Sequence, residues 1–371
     1  MRKGWEYKKL GEYVKEYSVK NKLNENIPVY SVTNSQGFCK DYFGKEVASK
    51  DKSTYKIVPF GFFAYNPSRI NVGSIDWQAQ EDRVIVSPLY NVFSVSAKLK
   101  QQYLLYYLKS PLTIHYIDSV ATGTVRLNLK FSMLKEFIVP VPSIAKQEYI
   151  VSELDKINEL IRLKKEQLKD FDNLAQSLFY EMFGEGKCMR KKLKDIVKIQ
   201  SGQVSPLEEP YSEMIHVGPA NIESNTGRLL NLKTAKEENL ISGKYLFNSS
   251  MVLYSKIRPN LNKVTIPSFE GICSADMYPI IPLECIDKNF LLFLLKQKEF
   301  LTYAISNSGR ANIPKINREA LLNYEAILPP LSLQRLFAQR IEQIEREKSE
   351  VQKSILDLET LLASRMQYWF E

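Results

Sequence analysis

The sequence predicts an α+β protein in which one plan is used twice: a sheet-containing domain, then a long amphipathic helix, then both again. Three observations predict it. Residues 142–183 match residues 329–370 at a constant offset of 187, so Ile150, Leu154, Ile157, Leu168 and Phe171 fall on Phe337, Ile341, Ile344, Ile355 and Leu358. The stretches ahead of them hold short runs rich in Tyr, Phe, Val and Ile, punctuated by Gly, Pro, Asn and Ser, which read as strands and turns. The matched stretches alternate apolar residues by fours and threes, the seam of a coiled coil. Two copies are too few for a solenoid, so the repeat is a duplicated domain-plus-helix.

In chain order, each domain opens with a short basic segment, Tyr7-Lys8-Lys9-Leu10 and then Arg190-Lys191-Lys192-Leu193. Strand-like runs follow at 27–32, 60–65 and 83–86, with counterparts at 215–217 and 251–254. Ala64-Tyr65-Asn66-Pro67-Ser68-Arg69 is echoed by Leu253-Tyr254-Ser255-Lys256-Ile257-Arg258 at an offset of 189, and Thr122-Gly123-Thr124 by Ser308-Gly309-Arg310 at 186. A drifting offset means compensating insertions in surface loops. Between the anchors the copies differ, so the scaffold is shared and the loops are private. Tyr65 and Tyr254 read as strand core. A helix is expected near 101–108, with its counterpart at 290–303.

The long helices begin at proline-serine entries, Pro142-Ser143 and Pro329-Pro330-Leu331-Ser332. The first seam runs through 150, 154, 157, 161, 168, 171, 178 and 182, the second through 337, 341, 344, 351, 355 and 358, with Lys348 interrupting where Ile161 stands in the first copy. A helix of about 36 residues spans roughly 54 Å. The first helix must deliver the chain from domain one to domain two. A second helix pairing along the seam runs back, which makes the pair antiparallel and relates the units by a pseudo-twofold axis. The expected domains are 1–145 and 186–332, and the expected helices 146–185 and 333–371.

With 371 residues, 44% hydrophobic and 25% charged, the chain supports two separate cores of ordinary composition. No apolar run approaches the roughly 20 residues that cross a bilayer, and Met1-Arg2-Lys3-Gly4-Trp5-Glu6 offers no signal-peptide stretch. Cys39, Cys188, Cys273 and Cys285 lack CxxC spacing, so neither zinc nor a disulfide framework is implied and a cytoplasmic location is expected. The net charge is +9, but the helix stretches 147–183 and 334–371 carry −3 and −1, which leaves +13 on the rest. Basic charge concentrated on the domains points to a polyanion, because Lys and Arg that neutralise phosphates release condensed counterions.

This order of domain, helix beginning with Gln, domain and helix resembles the specificity subunit of type I restriction-modification systems. The resemblance covers essentially the whole chain. It is carried by Tyr65-Asn66-Pro67-Ser68-Arg69-Ile70-Asn71-Val72-Gly73, by Gly123-Thr124 ahead of Leu129, and by the entries from Pro142 to Gln147 and from Pro329 to Gln334. None is a strong motif alone; order and duplication make the case. The resemblance implies that each domain is a target recognition domain reading one half of a bipartite site on double-stranded DNA. It implies that the helices are spacer and dock for two methyltransferase subunits, through which restriction subunits join. S-adenosylmethionine, ATP and Mg are then expected only on those partners, with no cofactor and no membrane partner for this chain. Leu163, Phe179, Trp369 and Phe370, left over from the seam, are candidates for the dock or for closing the ends of the helix pair.

Arg and Lys bond bidentately to guanine, Asn and Gln to adenine, and Gly-Thr or Ser-Gly turns let backbone amides approach phosphate. The candidate DNA contacts are therefore Asn34, Gln36, Arg69, Asn71, Thr124, Arg126 and Lys130 in the first domain. In the second they are Asn221, Lys256, Arg258, Asn260, Arg310, Asn312 and Lys315.

Enzymatic readings fit poorly. Asn66-Pro67-Ser68-Arg69 departs from the Asn-Pro-Pro-aromatic signature of adenine methyltransferases at its third and fourth residues, and no Gly-x-Gly loop precedes it. There is no GxxxxGK[ST] loop for ATP, His115 and His216 stand alone, and no carboxylates cluster as a nuclease needs. The chain is expected to be non-catalytic. Two other readings stay open: a coiled-coil scaffold that binds DNA incidentally, and a specificity subunit whose single partner fuses methylation and cleavage.

Overall fold

The computed structural model describes residues 2–40, 51–121, 128–184, 188–309 and 312–371. The chain forms two compact units, Met1–Gln167 with Val351–Glu371, and Leu168–Glu350. Each is built on a four-stranded antiparallel sheet. In the first unit the order is Val14–Glu16, Asn91–Val95, Phe63–Tyr65, Ile75–Trp77; in the second it is Val197–Ile199, Met277–Pro282, Val252–Ser255, Val264–Thr265. The two sheets have the same connectivity, so the duplication faint in sequence is complete in topology. Tyr65 and Tyr254 are buried strand residues, as expected.

A second layer also repeats. In the first unit the hairpin Tyr30–Thr33 and Gly37–Lys40 lies beside the pair Lys56–Pro59 and Arg83–Val86, joined by a parallel bridge from Val29 to Ile85. In the second unit the same scheme grows into a five-stranded sheet, where His216 pairs in parallel with Ile272. Tyr30, Val32, Phe38, Val58, Val84 and Val86 close a core against Ala64 and Val92 of the first sheet.

The basic openings become edge strands. Glu6–Lys9 pairs with Ile138–Val141, and Arg190–Lys192 with Glu325–Ile327. A 3-10 turn then buries Leu10 in one unit and Leu193 in the other.

The shorter helical segments differ from expectation in one respect. The stretch 290–303 is not one helix but parts of two, Lys288–Lys296 and Lys298–Ser306, broken at extended Gln297. The first unit has the same break: Gln101–Lys109 and Pro111–Val120 part at Ser110, whose Oγ accepts from Thr113 N–H. There the cause is local, since a residue before proline avoids the helical region and serine caps the helix that follows.

The long helices are Ile144–Phe183 and Leu331–Phe370, 40 residues each, about 60 Å at 1.5 Å per residue. In the first unit Ile150 and Leu154, near the start of one, share a core with Met366, Trp369 and Phe370 at the end of the other. In the second unit Phe179 and Phe183 pack on Phe337, with ring centroids 5.9 and 5.3 Å away. Start meets end in each unit, so the helices run antiparallel. Ile150, Leu154, Ile157 and Ile161 are buried as the seam requires, but at the far end Phe179 and Phe183 are the most buried residues, one position beyond 178 and 182. The reason is geometric: a 3.6-residue helix drifts about 20° per heptad from a 3.5 repeat, which over four heptads approaches one residue. Phe179, Trp369 and Phe370 close the cores, whereas Leu163 stays exposed. Lys348, the interruption in the seam, points its ammonium at Asp172 Oδ1 (2.8 Å) and Glu345 Oε1 (3.1 Å).

Gln147 and Gln334, both fully buried, tie each long helix to its unit. Gln147 Oε1 accepts from Lys100 N–H, and its Nε2 donates to Lys98 O and Pro142 O. Gln334 does the same with Asp287 N–H, Cys285 O and Pro329 O. Among the described residues, no helix is long and apolar enough to cross a membrane.

Candidate nucleic-acid interface

In each unit the central strand of the main sheet runs directly into a loop that presents an arginine. In the first, strand Phe63–Tyr65 leads to Asn66, whose Oδ1 accepts from Ser68 N–H and whose N–H donates to Ser74 O. Arg69 N–H donates to Asn66 O, and a 3-10 turn over Ile70–Val72 ends on Gly73 in the left-handed region (φ +83°). The Arg69 side chain is exposed, while Ile70 beside it is buried. This geometry fixes the backbone and leaves the guanidinium to solvent.

The loop is pinned from two sides. Leu129 N–H donates to Pro67 O (3.0 Å), and Leu129 O accepts from Tyr65 Oη (3.1 Å). That brings Lys130 to the loop. On the other side buried Ser74 donates its hydroxyl to Val32 O (2.5 Å), in the hairpin whose exposed turn carries Asn34 and Gln36. The hairpin depends on Gly37 (φ +62°), because a Cβ there would sit 1.8 Å from Asp76 Oδ2. Asp76 accepts from Phe38 N–H at that point, and burial raises its carboxyl above the usual range. Asn34, Gln36, Arg69, Asn71 and Lys130 are thereby gathered on one loop cluster; Thr124 and Arg126 lie outside the described residues.

The second unit repeats the device with different side chains. Ile316 N–H donates to Lys256 O (3.0 Å), the counterpart of the Leu129–Pro67 bond, and Arg258 N–H donates to Pro314 O (2.7 Å). Arg258 is exposed and left-handed (φ +48°, ψ +59°), and a 3-10 turn over Pro259–Leu261 follows. A non-glycine residue in that region costs about 1–2 kcal/mol, held here by the Pro314 bond and by Leu261 N–H on Arg258 O. Ile316 O accepts from Tyr278 Oη, one strand over from where Tyr65 serves in the first unit, so the buried Tyr254 hydroxyl is left without a partner. Asn260, Asn312 and Lys315 are exposed around this loop, and Arg310 lies outside the described residues.

Two candidates are otherwise occupied. Asn221 is buried: its Oδ1 accepts from Gly218 N–H, and its Nδ2 donates to Leu230 O and Asn231 O, which holds a turn together. Lys256 donates to Ala275 O and lies 3.8 Å from Asp276 Oδ1, and burial lowers its ammonium below the usual value. The side-chain types suit DNA, but the fold uses both internally. Composition could not reveal this, because the partners are backbone carbonyls 9 to 19 residues away.

The family model for the type I restriction modification DNA specificity domain matches residues 2–170 and again 186–359. The chain belongs to this family. It is 37% identical over 164 residues to the type I restriction enzyme EcoDI specificity subunit of Escherichia coli, covering 44% of this chain and 36% of that relative's length. It is 24% identical over 315 residues to the MjaVIII specificity subunit of Methanocaldococcus jannaschii, covering 72% of each. A chain solved in work on complex assembly and conformational transition of the type I R-M system superposes with a TM-score of 0.65 at 17% identity, over 99% of this chain and 97% of that one. The type I S subunit of M. genitalium gives 0.55 at 14% identity, over 99% and 96%. At such identities the likeness is one of fold.

The fold of this specificity chain also brings forward residues that sequence reasoning passed over. Asp276 and Leu89 occupy matching turns ahead of equivalent strands, and Asp276 O accepts from Lys256 N–H at the arginine loop of its unit. No motif marks them.

Proposed function

We propose that this specificity subunit reads an asymmetric bipartite duplex, each unit taking one short half-site through its arginine loop. The observation that carries this reading is the same pinned loop once per unit, Arg69 in one and Arg258 in the other, surrounded by unlike side chains. Shared backbone geometry supports a common way of approaching DNA, and private side chains support half-sites of different sequence. The chain is proposed to be non-catalytic. S-adenosylmethionine, ATP and Mg belong to its partners, two methyltransferase subunits and the restriction subunits they recruit.

Paired exposed apolar residues on the long helices support two equivalent docks. Tyr149 and Leu336 are half exposed at the 187-residue offset, and so are Leu174 and Leu361. The helices set the unread spacer. The test is to produce the chain with its methyltransferase subunits and map modified adenines across a genome. Two unlike half-sites separated by unread base pairs are expected, and a contiguous palindrome, or marks indifferent to this chain, overturns the reading. Inserting one turn, about four residues and 6 Å, into both long helices should lengthen the spacer by roughly two base pairs while keeping both half-sites.

A further inference from the structure

The second unit places a carboxylate within its basic loop cluster. Asp276 is half exposed and lines a cavity of about 390 Å³ with Ile257, Gly309, Ile313 and Lys315. The wall at Gly309 is open, since a Cβ there would meet nothing within 4 Å. The backbone of Asp276 is fixed on both sides: its N–H donates to Ser274 Oγ (3.1 Å), and its O accepts from Lys256 N–H (3.0 Å). Lys256 Nζ is engaged by Ala275 O and stays 3.8 Å from Asp276 Oδ1, so the carboxylate is steadied while its lone pairs stay available.

Strand register identifies the matching position in the first unit. Tyr65 pairs with Asn91 and Tyr254 with Tyr278, so the residue two places earlier is Leu89 in one unit and Asp276 in the other. Leu89 is 74% exposed. One turn of the shared scaffold thus carries an acid on one side and a bare apolar side chain on the other.

A carboxylate beside phosphates is repelled, and on a DNA-facing surface it is favourable where it accepts a hydrogen bond from a base. In the major groove cytosine N4 and adenine N6 both offer an amino donor, but adenine sets its N7 acceptor beside it, so a carboxylate matches cytosine, and the matching apolar feature is the thymine methyl. We propose that Asp276 reads a cytosine in the half-site of the second unit, and that Leu89 packs on a thymine methyl in the half-site of the first. This rests on the two-half-site reading above and assigns one base in each.

The test uses the full chain with its methyltransferase subunits and selection from a randomised duplex library, comparing wild type with Asp276→Asn, Asp276→Ala and Leu89→Ala. Both Asp276 variants should lose preference for one cytosine by about tenfold or more, in the half-site that Arg258→Ala also weakens, with the other half-site unchanged. Asp276→Asn keeps the side-chain size and should shift that position towards adenine. Leu89→Ala should relax a thymine in the other half-site. A wild-type bipartite motif that survives both Asp276 variants intact, with the complex still assembled, overturns the assignment of Asp276. So does relaxation at a position that is not cytosine. A wild-type complex that selects no bipartite motif overturns the underlying reading instead.

Discussion

Gln147 and Gln334 stand 187 positions apart and make the same three hydrogen bonds, each joining the first turn of a long helix to the amide that starts a helix of its own unit. Both side chains are fully buried, and each satisfies three backbone groups, with the bonds to Pro142 O and Pro329 O themselves buried. Gln147→Ala strands one N–H and two carbonyls in the first unit, and Gln334→Ala does so in the second. A buried polar group left unsatisfied costs about 1–3 kcal/mol, so each variant should lose roughly 2–4 kcal/mol. Thermal unfolding should show a fall of several degrees, and equal stability in either variant would contradict the assigned role.

Arg69→Ala and Arg258→Ala should act on different half-sites. Each side chain is exposed on a pinned loop, so its removal should spare folding while weakening DNA binding about 10- to 100-fold, the span of a good bidentate base contact. Binding to duplexes altered in one half-site at a time separates the two effects. If both variants weakened both half-sites equally and flattened the salt dependence, the arginines would be phosphate contacts.

Gly37→Ala should unfold the Asn34–Gln36 hairpin locally. The new Cβ meets Asp76 Oδ2 at 1.8 Å in a left-handed backbone, which combines a clash with a conformational cost of about 1–2 kcal/mol. Circular dichroism should keep its helical signal while hydrogen exchange rises at Phe38. An unchanged exchange rate there would be incompatible with the packing described.

The second unit should weaken as pH falls below neutrality. His216 is buried, and desolvation lowers its pKa despite the raising effect of Glu238, whose Oε2 lies 2.8 Å from Nδ1. A histidine with a depressed folded-state pKa is fully favourable above its unfolded value near 6.5, and its contribution fades as pH drops from there towards the folded value. Denaturant unfolding between pH 7.5 and 5.5 should show this slope in wild type and a shallower one in His216→Gln. Equal slopes would remove His216 as the cause.

Asn221→Ala should lower stability without altering the base preference of a surviving complex. Its three hydrogen bonds are all internal, so loss of turn geometry is the only expected effect. A changed recognition motif in a fully folded Asn221→Ala chain would return the residue to the DNA-facing set.

Much of this is legible in the amino-acid sequence. The offset of 187 picked out Gln147 and Gln334 as equivalents, and the seam found Ile150, Leu154 and Phe337 as core. The helix break at Ser110 is written in Ser110-Pro111, whereas the matching break at Gln297 has no proline after it and no side-chain cap. Lys348 read as a flaw in the seam because its partner, Asp172, is 176 residues away.

What the sequence alone determined is periodic or repeated: two copies, two long helices, strand-rich domains and an excess of positive charge off the helices. Such features are encoded within a turn or two of chain, or by self-comparison, and survive without knowledge of the fold. What the tertiary structure decided is which side chains remain available. It withdrew Asn221 and Lys256 into internal hydrogen bonds, set Arg69 and Arg258 on equivalent loops, and matched Leu89 with Asp276 through strand register. Solvent access and partnership depend on residues distant in sequence, and those pairings exist only once the chain has closed on itself.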